Sequence, residues 1–157
     1  FFGGVDSQAA PLARRIKQLG MNATLMGAGG FVSQTFLKLA QKEGEGVVAL
    51  EPGLPVDQMP GGKAFEQAYQ SRYHTHIELH APFAYDATRV LVAAMEKADS
   101  VEPSDYLPAL RAISYSGVTG QIAFDKEGNL KSPSFTVYKV VDGKWQPQTL
   151  LGGAKAK

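Results

Sequence analysis

A glycine-rich turn is the first stretch whose residue types and spacing could do chemistry. It reads Gly-Ala-Gly-Gly over residues 27–30, between an expected strand and an expected helix, where backbone N–H groups can hold a phosphate. A dinucleotide-binding fingerprint would need glycine at position 32, which is Val32, and a phosphate-binding loop would need Gly-Lys-Ser/Thr, which does not occur. We interpret the turn as a tight connection at the carboxyl edge of a sheet, which remains a candidate ligand-binding surface.

A histidine window is the second candidate site. All three histidines, His74, His76 and His80, fall close together with Glu78 among them. On a continuous helix, His76 and His80 would share one face, which is the two-ligand spacing of many zinc sites. The window lies between two periodic helices and contains no His-Glu-x-x-His, so we expect solvated or helix-capping histidines and predict no metal site.

Catalytic signatures are missing from the sequence. It has no Gly-x-Ser-x-Gly, no Ser-x-x-Lys and no cysteine nucleophile. Asp6 and the pair Tyr85-Asp86 stand at expected helix starts, where capping and the helix dipole explain a polar group as well as acid or base catalysis does. We therefore predict a protein that is not an enzyme, with no catalytic residues and no cofactor.

Composition narrows the class of partner. The 157 residues are 44% hydrophobic, which is enough for an ordinary α/β core. With 16 basic and 15 acidic residues, the chain has no strong net electrostatic field that would attract nucleic acid or an anionic membrane. A neutral or zwitterionic small molecule is a better match as its main partner. The absence of cysteine excludes disulfides, thiolate catalysis and Cys-ligated zinc, and no apolar run approaches the ~20 residues of a membrane span.

The hydrophobic periodicity predicts an α/β fold. A helix that Asp6 or Ser7 caps and Gly20 ends, a strand over 23–26, a helix over 32–41 and a strand over 46–50 follow one another, which is the pattern of a parallel sheet with crossover helices. A Pro- and Gly-rich crossing segment and three helices follow, the third capped by Ser104. Turns over 125–129 and 142–143 then separate strands at the C-terminal end, before a tail over 151–157 that we expect to fray.

Four separated phrases occur in an order that resembles the periplasmic solute-binding proteins of the branched-chain amino acid type. They are Phe-Gly-Gly-Val-Asp-Ser-Gln-Ala at 2–9, Leu-Met-Gly-Ala-Gly-Gly at 25–30, Ala-Pro-Phe-Ala-Tyr-Asp-Ala at 81–87, and the Phe-Asp-x-x-Gly run at 124–128. The resemblance implies a class I periplasmic binding fold, three-layer α/β/α with a mostly parallel sheet. It also implies that this chain is the C-terminal part of two lobes joined by crossing strands.

The resemblance further implies a division of the chain. Residues 1–52 would end the second lobe, residues 53–116 would be a crossing segment and helices that return to the first lobe, and residues 117–150 would form the final crossing strands and hairpin. Because the early strands of the first lobe would be missing, we expect apolar helix faces to be exposed, and we expect the chain either to self-associate or to have been cut from a longer protein after folding.

The ligand-binding residues predicted with this resemblance are six. The second lobe of the family contributes the positions of Val5 and Gly29, and His80 falls near a frequent aromatic contact; the other three candidates are Asp6, Ala28 and Tyr85. Position 29 usually carries an Asp or Glu that pairs with the ligand ammonium. The glycine here departs from that pattern, so either Asp6 substitutes or the ligand has no ammonium group.

The function that the resemblance implies is solute binding for an ABC importer. The protein would be periplasmic, with a signal peptide in its precursor, and would bind a small amino acid or a related carboxylate or amide. Hinge closure would present both lobes to a membrane permease. Two alternatives stay open: an α/β enzyme or nucleotide-binding domain that uses the 27–30 turn, and a ligand-sensing regulator of the same fold.

Overall fold

The computed structural model describes residues 1–78 and 80–153, which fall into two compact units. The first unit contains Phe1–Leu54 and the segment from Ser134 onward, and the second is Pro55–Pro133. The first unit therefore consists of two stretches that are far apart in sequence. The predicted assignment of segments to two lobes of a larger protein stays a prediction.

The first unit is built on a four-stranded sheet with two helices. Its elements are α1 (Asp6–Gln18), β1 (Met26–Gly27), α2 (Gln34–Ala40), β2 (Val48–Pro52), β5 (Ser134–Val141) and β6 (Lys144–Gly152), with a 3₁₀ turn at Gln41–Gly44. The strand order is β1-β2-β5-β6. The strands β1 and β2 are parallel, and Phe2 forms a parallel bridge to Gly27. The predicted parallel strands with helices between them are present, although β1 begins at Met26 and not at residue 23. The pairs β2–β5 and β5–β6 are antiparallel.

The hairpin that joins β5 to β6 has the predicted two-residue turn. Asp142 and Gly143 both have positive φ angles, 52° and 68°, as a type I′ turn requires. The carboxylate of Glu45 accepts hydrogen bonds from both backbone N–H groups at 3.2 Å. The turn is thus held to the segment that leads into β2.

Aromatic stacking organises the core of the first unit. The rings of Phe31 and Phe36 stack at 5.9 Å between centroids, and Trp145 of β6 packs on Phe36 at 5.2 Å. Both phenylalanines are fully buried. They lie with small residues of α1 and with residues of the central strands: Ala9, Ala10, Ala13, Val47, Ala49 and Val140. The small residues of α1 let the aromatic cluster approach the helix closely.

The second unit contains three helices and a short hairpin. Its elements are α3 (Gly62–Tyr73), α4 (Ala81–Ala98), α5 (Pro103–Arg111), β3 (Ser114–Ser116) and β4 (Gln121–Ala123), with a 3₁₀ turn at Val56–Gln58. The three predicted helices are confirmed. No helix within residues 1–78 and 80–153 is both long and apolar enough to cross a membrane.

Two predicted caps are wrong by one or two residues. The N-cap of α1 is Val5 in extended conformation, and Asp6 is the first helical residue. The N-cap of α5 is Glu102, because Pro103 already occupies the first helical position and Ser104 the next. Proline favours the first helical position, since its fixed φ suits the helix and its missing N–H needs no partner there.

The buried face of α4 contains an acidic residue. The buried residues are Pro82, Asp86, Val90 and Ala94. Asp86, which the sequence placed at a helix start, does not cap the helix. Its Oδ1 accepts the Val118 N–H at 2.9 Å, and its Oδ2 accepts the N–H and the hydroxyl of Thr119 at 2.7 and 2.6 Å.

A glycine makes room for this buried carboxylate. A Cβ atom on Gly117 would lie 2.4 Å from Oδ2 of Asp86. The hydrogen bonds of Asp86 to residues 118 and 119 therefore hold the β3–β4 turn against α4.

The turn before β5 is closed by another aspartate. The backbone N–H of Asn129, together with that of Glu127, donates to Asp125, and these bonds hold the pKa of Asp125 below its usual value. The predicted turn over 125–129 is present.

Replacing Phe36 by alanine is predicted to destabilise the first unit by about 3–5 kcal/mol, because a fully buried ring leaves a cavity. The matched control is Leu39→Ala on the same helix, whose side chain is 44% exposed; it should cost far less. Urea unfolding followed by tryptophan fluorescence measures both. Equal losses for the two variants would show that the aromatic stack is not the core.

Replacing Asp86 by asparagine is predicted to cost about 2–3 kcal/mol, since an NH₂ group would face backbone donors in a buried site. Glu96→Gln removes an exposed carboxylate from the same helix and is the control. Thermal unfolding by circular dichroism compares the two. A melting temperature for Asp86→Asn equal to that of the control would show that Asp86 does not stabilise the contact between α4 and the 117–119 turn.

Candidate functional site

The candidate site in the first unit lies where β1 ends. The backbone N–H of Asp6 donates to the carbonyl of Gly30 at 2.8 Å, and a Cβ on Gly30 would lie 3.3 Å from Cγ1 of Val5. The turn that precedes α1 therefore contacts the turn that follows β1. Four of the six predicted residues meet there: Val5, Asp6, Ala28 and Gly29. This is the carboxyl edge of a parallel strand pair, the usual ligand edge of an open α/β sheet.

Asp6 is held by protein groups at this edge. Its Oδ2 accepts the hydroxyl of Ser33 at 2.7 Å, and its Oδ1 accepts the N–H of Ser7 at 2.6 Å. The Ser33 hydroxyl oxygen in turn accepts the N–H of Phe36 at 3.0 Å and so caps α2. Ser33 was missed in the sequence, although a serine directly before a periodic helix is a usual start signal.

Backbone N–H groups at the 27–30 turn form hydrogen bonds within the turn itself. The N–H groups of Gly30 and Phe31 both donate to the carbonyl of Ala28, at 2.6 and 3.2 Å. A Cβ on Gly27 would lie 2.3 Å from the ring of Phe31, so glycine is needed there for close packing. Two N–H groups of the turn are therefore already engaged rather than aimed at a phosphate.

A buried carboxylate lies beside the turn. Glu51 of β2 is 1% exposed, and a Cβ on Gly29 would lie 3.1 Å from its Oε2. Sequence reasoning missed Glu51. The signal was the alternation along β2, which places Glu51 on the same buried face as Val47 and Ala49.

The other two predicted residues lie in the second unit. His80 stands at the N-cap position of α4, is exposed, and its side chain makes no capping hydrogen bond. Tyr85 is 48% exposed, and its ring lies 5.3 Å from that of Phe65. It contributes to an aromatic groove of about 680 Å³ that Phe65, Tyr69, Arg72 and Tyr73 of α3 also line.

The histidine window does not form a metal-binding cluster among the described residues. His74 ends α3 in a left-handed conformation with φ 54°. Within residues 1–78 and 80–153, no group of three or more His, Cys, Asp or Glu side chains is placed to hold a metal ion.

The fold is that of an α/β protein with a candidate ligand edge, and sequence comparison gives the family. A family model described as periplasmic binding protein matches residues 1–144. The chain therefore belongs to the periplasmic binding protein family, as its four phrases predicted.

The relatives found are binding proteins. The Leu-, Ile-, Val-, Thr- and Ala-binding protein of Pseudomonas aeruginosa is 32% identical over 139 residues, which are 88% of this chain and 37% of that protein. The Leu/Ile/Val-binding protein of Escherichia coli K12 is 24% identical over 138 residues, again 88% of this chain and 37% of that protein.

Solved structures show the class I periplasmic binding fold that was predicted. A leucine-binding protein from Thermotoga maritima aligns with a TM-score of 0.82 at 22% identity, over 95% of this chain and 43% of that one. A solute-binding protein from R. palustris in complex with benzoate aligns with a TM-score of 0.74 at 20% identity, over 100% and 43% of the two chains. The chain thus spans about two fifths of the length of these proteins.

The bond between Asp6 and Ser33 gives a testable prediction. Ser33→Ala should destabilise the protein by about 1–2 kcal/mol, because it removes both the cap of α2 and the donor to Asp6. Ser33→Thr should retain most of the stability, and Ser7→Ala, an exposed serine in α1, is the control. Chemical unfolding of Ser33→Ala, Asp6→Asn and the double variant gives the coupling free energy. Strict additivity would show that the two side chains do not interact.

Proposed function

We propose that this chain belongs to the solute-binding component of an ABC importer, which binds a small amino acid or a related small carboxylate or amide. The observation that carries the proposal is the match of residues 1–144 to the periplasmic binding protein family. In this proposal the protein acts in the periplasm, closes two lobes on its ligand by a hinge motion, and presents the closed form to a membrane permease.

The geometry of the first unit supports a binding role. Val5, Ala28 and Gly29 are exposed at the carboxyl edge of the sheet, where a small molecule can reach backbone groups and the ends of the strands. The six predicted residues remain a proposal as a ligand-binding set.

The ligand class rests on the relatives. One is named for leucine, isoleucine, valine, threonine and alanine, and one solved neighbour holds benzoate. Both kinds of molecule are small and carry a carboxylate. We propose that this chain serves the same broad class.

The alternatives have weaker support. A nucleotide-binding turn would need free N–H groups, but Gly30 and Phe31 donate to Ala28. For the enzyme alternative, two of the polar groups weighed at helix starts, Asp6 and Asp86, have structural roles, because their hydrogen bonds hold turns together. A ligand-sensing regulator of the same fold would bind the same molecules and differ only in its partner.

The test is isothermal titration calorimetry on the complete gene product. The panel is leucine, isoleucine, valine, threonine, alanine, benzoate and ATP, and the ligand is recovered afterwards for mass spectrometry. We expect one small carboxylate to bind with a Kd of about 10 μM or lower and to be recovered unchanged. Saturation by ATP alone, or chemical conversion of the ligand, would instead support the nucleotide-binding or enzyme alternative.

A pair of variants locates the binding edge. Ala28→Arg places a long cationic side chain in the exposed turn and should weaken binding at least tenfold. Asn22→Arg adds the same charge before β1, at the other end of the strand, and should leave binding within about threefold. Equal effects of the two variants would mean that the ligand does not bind at the 27–30 turn.

A further inference from the structure

A small cavity lies at the amino ends of β1 and β2, away from the candidate ligand edge that follows β1. It has a volume of about 230 Å³ and is bounded by the last turns of α1, the segment 23–25, the start of β2 and one residue of β5. All of these belong to the first unit. The proposed function does not use this cavity.

The floor of the cavity is apolar. Ala13, Leu25 and Val47 line the cavity and are buried. A Cβ atom on Gly46 would meet no atom within 4 Å other than those of its chain neighbours, so space remains beside the segment that leads into β2. Protein interiors are usually packed without voids of this size. The apolar floor is therefore available to an aliphatic group of a ligand.

The mouth of the cavity carries two lysines. Lys17 of α1 and Lys139 of β5 line the cavity, and both are exposed. The ion pair found among residues 1–78 and 80–153 is Lys126–Glu127 in the second unit, so within those residues neither lysine of the cavity forms one. Their ammonium groups therefore remain available to an anion.

The acidic residues at the cavity offset this positive charge only in part. Both oxygens of the Glu45 carboxylate accept backbone N–H groups of the hairpin turn, from Asp142 and Gly143 at 3.2 Å. Glu43 is the other carboxylate that lines the cavity, and it is half-buried. Two ammonium groups are thus balanced by one carboxylate that the hairpin does not engage. This balance favours a singly charged anion over a cation or a zwitterion.

Backbone groups before β1 add polar positions to the cavity. The carbonyl of Leu25 accepts the N–H of Val48 at 3.0 Å. The N–H groups of Ala23 and Thr24, in contrast, form no hydrogen bond with another residue in the described part of the chain. Both residues line the cavity and are exposed. Their N–H groups can therefore donate to a bound carboxylate, as backbone N–H groups do in small-molecule sites.

We infer that this cavity is a second binding site, which takes a short aliphatic monocarboxylate. The aliphatic chain lies on the apolar floor, and the carboxylate lies at the mouth, where Lys17 and Lys139 supply positive charge. Because the volume of about 230 Å³ is below the roughly 300–1,000 Å³ of drug-sized ligand sites, a chain of about four to six carbons is the appropriate size. The inference does not depend on the proposed function, since the two sites lie at opposite ends of β1.

The experiment titrates the isotope-labelled complete gene product with hexanoate and follows the backbone amide resonances by nuclear magnetic resonance. Hexanoate should shift the resonances of residues 23–25 and 46–48. Binding should tighten at least about fivefold from butanoate to hexanoate, because each buried methylene gives a gain of about fourfold. It should weaken for decanoate, which is too long for the cavity. Hexanamide has the same chain without the charge and should bind at least about fivefold more weakly than hexanoate.

Three variants assign the binding to this cavity. The double variant Lys17→Gln/Lys139→Gln removes both charges and should weaken hexanoate binding at least about fivefold. Lys38→Gln removes an exposed charge from α2 and is the control, which should change binding less than about twofold. Ala23→Leu fills the cavity with a larger side chain and should abolish the shifts at 46–48. Circular dichroism checks that each variant folds, which we expect because all four replaced residues are exposed.

A fourth variant separates this site from the proposed ligand edge. Ala28→Arg, which should block the edge, should leave the hexanoate shifts at 23–25 and 46–48 in place. Shifts confined to residues 27–30, or loss of all shifts in Ala28→Arg, would mean that hexanoate binds only at the edge; this result would overturn the inference and support the proposed function. Equal binding of hexanoate and hexanamide, or no shifts at about 10 mM hexanoate, would also overturn the inference and would leave the proposed function intact.

Discussion

The antiparallel pairing of β5 with β2 is the constraint on which the first unit depends. Its register runs from Val48 opposite Lys139 to Pro52 opposite Phe135, whereas β1 contributes only two residues to the other side of β2. The β5–β6 hairpin brings Trp145 onto Phe36, and the indole N–H donates to the carbonyl of Ser33 at 3.2 Å. Ser33 then holds Asp6 at the candidate edge. The C-terminal hairpin therefore supports the turns that would meet a ligand.

Glycine residues shape the turn at the carboxyl edge of the first unit. Glycines at 27, 29 and 30 let Phe31, Glu51 and Val5 pack closely against the turn. A Cβ atom on Gly29 would lie 3.1 Å from Oε2 of Glu51, so a side chain at position 29 would require the neighbouring glutamate to move.

The sequence predicted the elements of both units and the family, because these depend on local periodicity and on short phrases. It also predicted the Asp142-Gly143 turn, whose positive φ angles restrict the residue types. It did not predict the burial of Asp86 or of Glu51. Each depends on a partner segment far along the chain, at 117–119 for Asp86 and at 27–30 for Glu51. The cap of α1 was misplaced because the actual N-cap, Val5, has no polar side chain, and that of α5 because Pro103 takes the first helical position.

The discontinuity of the first unit has a consequence for the order of folding during synthesis. The second unit, Pro55–Pro133, is continuous in sequence and leaves the ribosome before Ser134 does. Its helices can therefore form while β2 still has an unpaired side that waits for β5. An exposed strand side invites mispairing and aggregation until its partner arrives. A chain that must remain unfolded after synthesis, for example to be bound by a holding chaperone, would gain time from this late pairing.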